Sequence, residues 1–160
     1  MSDGIQFSEL LDYAEQENER WKQFFNRHPE ALDLSLDIAG YVRQLVLHIF
    51  AVELYFANAV LGLEKVNPDK LPAEPLDELF RVGQEAARKY REFFARAKPE
   101  DWTETVDLGP RLSFKPSKRK LVAQALTHSI RHWAQISTFL RQQGLKQEWN
   151  HDFLLSKAME

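Results

Sequence analysis

The chain of 160 residues sets 21 Lys and Arg against 24 Asp and Glu, a formal net charge of -3, with 44% hydrophobic and 28% charged residues. That profile fits one globular domain over 1–160, with a core large enough to hold without disulfides or a structural metal, and it lacks the basic excess that binding to nucleic acid requires. Zero cysteines exclude a disulfide framework, a thiolate metal site and a cysteine nucleophile, and fit a cytoplasmic location.

From Phe7 to Phe25 the apolar residues Phe7, Leu10, Leu11, Ala14, Trp21, Phe24 and Phe25 recur at spacings of three and four, which predicts a helix with one buried stripe. Glu15, Glu17, Glu19 and Arg20 fall mostly on its other face, and His28-Pro29 stops the pattern because proline disfavours helical geometry in the residue before it. In the next segment Tyr41, Leu45, His48, Val52, Tyr55 and Ala59 share a face, flanked by Val46, Ile49, Phe56 and Val60. This helix is apolar around much of its circumference and is expected deep in the bundle. Gly62 and the Asn67-Pro68 and Leu71-Pro72 pairs mark its end and a connecting loop. The apolar-rich stretch Leu45 to Leu63 contains His48, Glu53 and Asn58, and the amino terminus has no basic segment followed by an apolar run. Neither a membrane span nor a secretion signal is therefore expected.

A third helix opens near Pro75, with Asp77 and Glu78 complementing its positive end, and carries Leu76, Leu79, Phe80, Gly83, Ala86, Ala87, Tyr90, Phe93 and Phe94 on one stripe until Lys98-Pro99. Between Trp102 and Pro116 the periodicity changes around Leu108-Gly109-Pro110-Arg111, which reads as a short irregular hairpin. Ser117 can cap a fourth helix whose stripe is Leu121, Ala125, His128, His132, Ile136, Phe139 and Gln143, with Gly144 at its carboxy-terminal end. Lys118, Arg119 and Lys120 in its first turn oppose the helix dipole. Trp149 to Leu155 is expected to pack back on the bundle and 156–160 to fray. Four amphipathic helices without an internal repeat give an all-α fold, a four-helix bundle with a short irregular hairpin before the last helix.

His128 and His132 stand four apart on that last helix, which places their Cβ atoms about 6 Å apart on one face, close enough for two ring nitrogens to meet one ion. The pair alone reads better as two buried histidines hydrogen-bonded to backbone or side chains. His48, in the middle of the most apolar helix, changes the weighing. Three separate core histidines would each need a buried partner, whereas one divalent ion offers all three a partner at once. Gln44, Gln124, Gln135 and Asn18 interrupt the same stripes and are candidates for hydrogen bonds that orient the imidazoles, or for substrate contacts. Glu53, rotated about 140° from His48, is a poor metal ligand. His151 is either a fourth ligand, if the tail folds back, or a surface residue.

The block Thr127-His128-Ser129-Ile130-Arg131-His132-Trp133-Ala134-Gln135, running into Leu140-Arg141-Gln142-Gln143-Gly144, resembles the last-helix pattern of the DinB-like or YfiT-like metal-binding four-helix bundles. Leu45-Val46-Leu47-His48-Ile49-Phe50 resembles their second-helix segment, Asn18 sits where their first helices often carry asparagine, and Asp152-Phe153-Leu154 resembles their ending. The resemblance spans about Phe7 to Leu155. It implies a divalent metal, nickel or zinc, on His48, His128 and His132, with positions left for water or substrate, and a possible homodimer. Members with known activity include transferases and isomerases that use mycothiol or bacillithiol. Trp133-Ala134 stands where Arg-Gly is frequent, which predicts an altered pocket wall.

Three neutral imidazoles leave the ion's charge uncompensated, so that a bound thiol or water would ionise near neutrality. One reading is therefore a metal-dependent transferase that activates a low-molecular-weight thiol for attack on an electrophilic small molecule, or a hydrolase that activates water. The alternative is a non-catalytic stress-associated or dimerising bundle with a structural metal or histidine cluster, although a closed structural site usually takes four ligands.

Overall fold

Four long helices form where the apolar spacings place them: α1 (Phe7–Arg27), α2 (Val42–Leu61), α3 (Leu76–Arg96) and, after a short α4 (Pro99–Thr103), α5 (Lys118–Gln142). The computed structural model describes residues 4–37, 40–110 and 112–160. No β-strand occurs among the described residues, only isolated bridges at Ser35–Tyr41 and Thr105–Ser117. The hairpin expected from Trp102 onward is thus part helix and part bridged loop: Pro99 opens α4, which includes Trp102, and Val106 N–H donates to Pro116 O at 2.8 Å. Arg111, expected in that hairpin, lies outside the described residues.

The helix ends follow their local chemistry. The Glu9 carboxylate accepts from Gln6 N–H at 2.6 Å, where it satisfies a donor of the first turn of α1. Gly62, at φ +69°, ends α2 in the left-handed conformation that side chains disfavour. Ser117 Oγ accepts from Lys120 N–H at 3.2 Å and caps α5. The basic first turn of α5 finds counterparts outside the helix: Lys118 pairs with Glu104, and Lys120 Nζ sits 5.1 Å from the centre of the Phe114 ring.

The apolar clusters give the helix directions. Val46, Ile49 and Phe50 share one cluster with Leu79, Phe80 and Trp133, Ile136, Leu140, while Ala57 and Val60 share the other with Ala87, Tyr90 and Leu121, Val122. So α2 runs parallel to α3 and antiparallel to α5, while α1, with Trp21 in the first cluster and Leu11 in the second, runs with α5. A parallel neighbour requires the chain to travel back along the bundle; residues 62–75 can span roughly 45 Å extended against about 30 Å for α2. That connection holds the short 3-10 turn Pro68–Lys70 and lets two core helices point the same way. By length and composition α2 is apolar enough to cross a membrane, but α3 and α5 occupy its apolar faces.

Aromatic packing locks one end of the bundle. Trp21, fully buried, stacks on Trp133 with ring centres 4.9 Å apart and meets Trp149 edge-on at 5.1 Å. At the other end Trp102 of α4 packs on Phe93 at 4.9 Å and stacks on Phe7 at 5.4 Å. The last residues do not fray as expected: Ser156 and Ala158 are buried, and Lys157 N–H donates to Gln16 Oε1 at 2.9 Å.

Close approach of α2 to α3 rests on Gly83, where a Cβ would come 2.5 Å from Phe50 Cδ1. Phe50 is fully buried and has no room to swing. Gly83→Ala gains about 1 kcal/mol of helix propensity but incurs an overpacking cost of roughly 1–3 kcal/mol. Thermal unfolding should therefore show a lower midpoint for G83A, and adding Phe50→Leu should recover part of the loss rather than deepen it.

Candidate metal centre

Of the two faces α2 offers, the structure buries Val42, Leu45, Val46, Ile49, Phe50 and Glu53 and leaves His48 on the solvent edge. The stripe assigned from sequence, with His48 pointing inward, is thus rotated from the true one. A helix apolar all round carries little phase information, so packing against α3 decided the rotation. His48 remains at the seam with α5, where His128 is buried and His132 half-buried.

His128 Nε2 stands 3.2 Å from His48 Nε2 and 3.1 Å from His132 Nε2, and ligand nitrogens of all three rings lie within 4.8 Å of one another. Two nitrogens bound at 2.0–2.1 Å to one tetrahedral ion stand about 3.3 Å apart, so the spacing suits a shared cation. Hydrogen bonds alone do not satisfy the cluster. His132 Nδ1 lies 3.0 Å from Gln135 Oε1, an acceptor, so its hydrogen sits on Nδ1 and Nε2 presents a lone pair. One hydrogen on His128 Nε2 can then serve only one of its two neighbours, whereas a cation accepts three lone pairs together. His128 Nδ1 is buried without a partner, so Gln135 gives His132 an orienting bond that His128 lacks.

Burial lowers the pKa of His128 to about 4, helped by the positive charges that His132, His48 and Arg131 would carry. His48 is lowered by the same causes, desolvation first, then His132 and Arg131. Both rings are therefore neutral at pH 7, the form that binds metal.

Gln135 is the one amide of the four candidates that bonds a cluster histidine. Gln44 Oε1 accepts from Tyr41 N–H at 2.8 Å and serves the start of α2 instead, and Gln124 is exposed. Asn18 Oδ1 accepts from Trp133 Nε1 at 3.0 Å, on the α1 side of α5. Trp133 faces the Trp21 core, and Ala134 lines a cavity of about 620 Å³ between α1, α5 and the carboxy-terminal tail. The Trp133-Ala134 departure thus alters the far side of α5 rather than the wall beside the histidines.

His151 does fold back, but onto α1: its Nδ1 lies 2.6 Å from Glu17 Oε2, away from the cluster. Glu17, expected on the outer face, is buried, and it also accepts from Trp149 Nε1 and Arg20 Nη1, each at 3.2 Å. Sequence missed this because the partners that cancel its burial cost come from a tail more than a hundred residues away.

Glu53 is a second buried carboxyl, and among the described residues no cation pairs with it. Its Oε1 pairs with Ser129 Oγ, which also donates to Ala125 O at 3.0 Å. A hydroxyl has one hydrogen for these two acceptors, so a protonated Glu53 supplies the missing one. Burial raises its pKa to about 7, with Ser129 pulling down and Glu15 pushing up.

A bundle that brings three imidazoles from its second and last long helices to one point falls in the class of helical proteins with a candidate tri-histidine metal centre. The sequence profile of the DinB family matches residues 1–159, and the chain belongs to that family. No curated protein matches it.

Because Glu53 holds its proton in the folded state to about pH 7 and in the unfolded state only to about 4.5, its contribution to stability is full below 4.5 and is lost as pH rises to 7. The loss amounts to roughly 3 kcal/mol. Denaturant unfolding at pH 5 and pH 8 should show Glu53→Gln gaining on the parent at the higher pH; a difference independent of pH would mean the carboxyl is ionised in the fold.

Proposed function

We infer that this protein is a divalent-metal-dependent transferase that activates a low-molecular-weight thiol on His48, His128 and His132 and directs it at an electrophilic small molecule. The observation that carries this reading is the 3.1 and 3.2 Å spacing of the Nε2 atoms with His48 on the solvent edge. A closed structural site usually takes four protein ligands, and among the described residues three converge here. Such a site leaves room for an outside ligand, which favours the reaction over the structural module.

A divalent ion held there, zinc or nickel, would supply Lewis acidity that lowers the pKa of a thiol or water toward neutrality. The protein's own part is positional. Desolvation keeps His128 neutral and ready to ligate, and Gln135 fixes the tautomer of His132. The core packing of α2 against α3 and α5 sets His48 at ligating distance. Because the chain has no cysteine, the thiol must come from a co-substrate. Water in place of the thiol gives the hydrolase variant with the same residues.

Elemental analysis after loading and dialysis should find one zinc or nickel per parent chain and little in His48→Ala, His128→Ala or His132→Ala. Gln135→Ala should keep the stoichiometry and weaken affinity by about 10–100-fold. Equal metal in the parent and the three histidine variants would end the proposal. Transfer of 2-mercaptoethanol to a chromogenic aryl halide, stopped by chelator and restored by metal, separates the transferase from a structural site.

A further inference from the structure

We propose that Arg131 is the specificity-determining residue of the histidine centre and selects ligands that carry a carboxylate beside the atom that meets the metal. The inference rests on the transferase reading and names the class of thiol it would take: a small mercapto acid rather than a neutral or cationic thiol.

Position comes first. Arg131 follows His128 by three residues on α5 and immediately precedes His132. Residues three apart on a helix have Cβ atoms about 5–6 Å from one another, so the guanidinium stem rises from the rim of the cluster. The residue is exposed, and at 100° per residue it stands about 60° around α5 from His128, on the flank that carries the cluster.

The second observation is the absence of a protein counter-ion. Every arginine from Arg20 to Arg96 is ion-paired with a carboxylate. Arg119, Arg131 and Arg141 have no such pair among the described residues, and of these three Arg131 is the one that directly adjoins a cluster histidine along α5. Nor do the cluster histidines have one: the described histidine–carboxylate contacts are His28 with Glu30 and His151 with Glu17, both elsewhere. Among the described residues the rim of the cluster therefore gathers one fixed positive charge and three imidazoles with no carboxylate bonded to them; Glu53, deeper in the same seam, turns to Ser129 instead. Any divalent ion adds to that excess, and the compensating negative charge must arrive with the ligand.

Guanidinium chemistry then narrows the ligand. Its planar fork matches a carboxylate in two parallel hydrogen bonds, which gives direction as well as charge. A molecule with a sulfur and a carboxylate a few bonds apart meets both groups at once, while a neutral thiol meets only the metal.

The test uses the cobalt(II)-loaded protein, whose thiolate-to-cobalt absorption reports sulfur binding without turnover. Titrations with 3-mercaptopropionate, 2-mercaptoethanol and cysteamine should rank in that order for the parent. Loss of a hydrogen bond to a charged group should weaken 3-mercaptopropionate in Arg131→Gln by about tenfold or more while leaving 2-mercaptoethanol unchanged. The cobalt spectrum before thiol addition should be the same in both proteins, which shows the histidines still ligate; Arg131→Lys should keep part of the preference. Equal affinities for the three thiols in the parent, or an equal loss for all three in R131Q, would overturn the assignment of Arg131 and leave the transferase reading standing. Should no thiol perturb the spectrum, the transferase reading falls. Acetate against acetamide on the same protein then decides the arginine: a preference for acetate that vanishes in R131Q sustains it, and no preference overturns it.

Discussion

The register of α2 against α5 is the constraint on which the histidine cluster depends. His48 comes from one helix and His128 and His132 from the other, and a slip of a single helical turn, about 5.4 Å, would separate nitrogens now 3.1–3.2 Å apart. Two features hold that register from within. Phe50 seats against Gly83 and fixes how α2 lies on α3, and Glu53 meets Ser129 across the α2–α5 seam, one residue along α5 from His128. Core packing density allows little sliding at such contacts, so the geometry of the rim is set by side chains that never reach it.

Two buried carboxyls meet the cost of burial by opposite means. Glu17 stays among three donors, from Arg20, Trp149 and His151, and ties the carboxy-terminal segment to α1. Glu53 pairs with the Ser129 hydroxyl and with no cation among the described residues, and burial raises its pKa to about 7 instead. A charge left there without a partner would be far more expensive than a neutral acid, so the carboxyl serves as a hydrogen-bond donor within the seam.

The four long helices and the spacing of His128 and His132 were legible because amphipathic repeats and i, i+4 pairs are local properties of the chain. The inward face of α2 was not. With apolar residues on nearly every side, several phases fit equally, and the choice fell to Gly83, which admits Phe50 on the face opposite to the one expected. The burial of Glu53 and Glu17 was hidden for a related reason: a carboxylate reads as solvent-facing unless its distant partners are known, and Ser129, Trp149 and His151 lie far along the chain. Gln44 read as part of a polar seam, but its first duty is to the unpaired backbone at the start of α2.

Helix α5 presents different chemistry on its two flanks, and this bears on which sequence departures matter. At 100° per residue, Ile130, Ser137 and Arg141 turn about 160–220° away from His128 and face the tail-covered cavity, whereas Arg131, Gln135 and Gln124 stay within about 60° of it. Trp133, between the flanks, is committed to the core by its stack on Trp21 and its bond to Asn18. Substitutions at 133 and 134 therefore act on the α1 side and reach the histidines only through the packing of α5. Changes at 131 and 135 act on the site itself, one through charge at the rim and the other through the hydrogen bond that orients His132. The block that carries the resemblance is thus two interleaved surfaces, and a residue's distance from a histidine along the chain is a poor guide to which of them it serves.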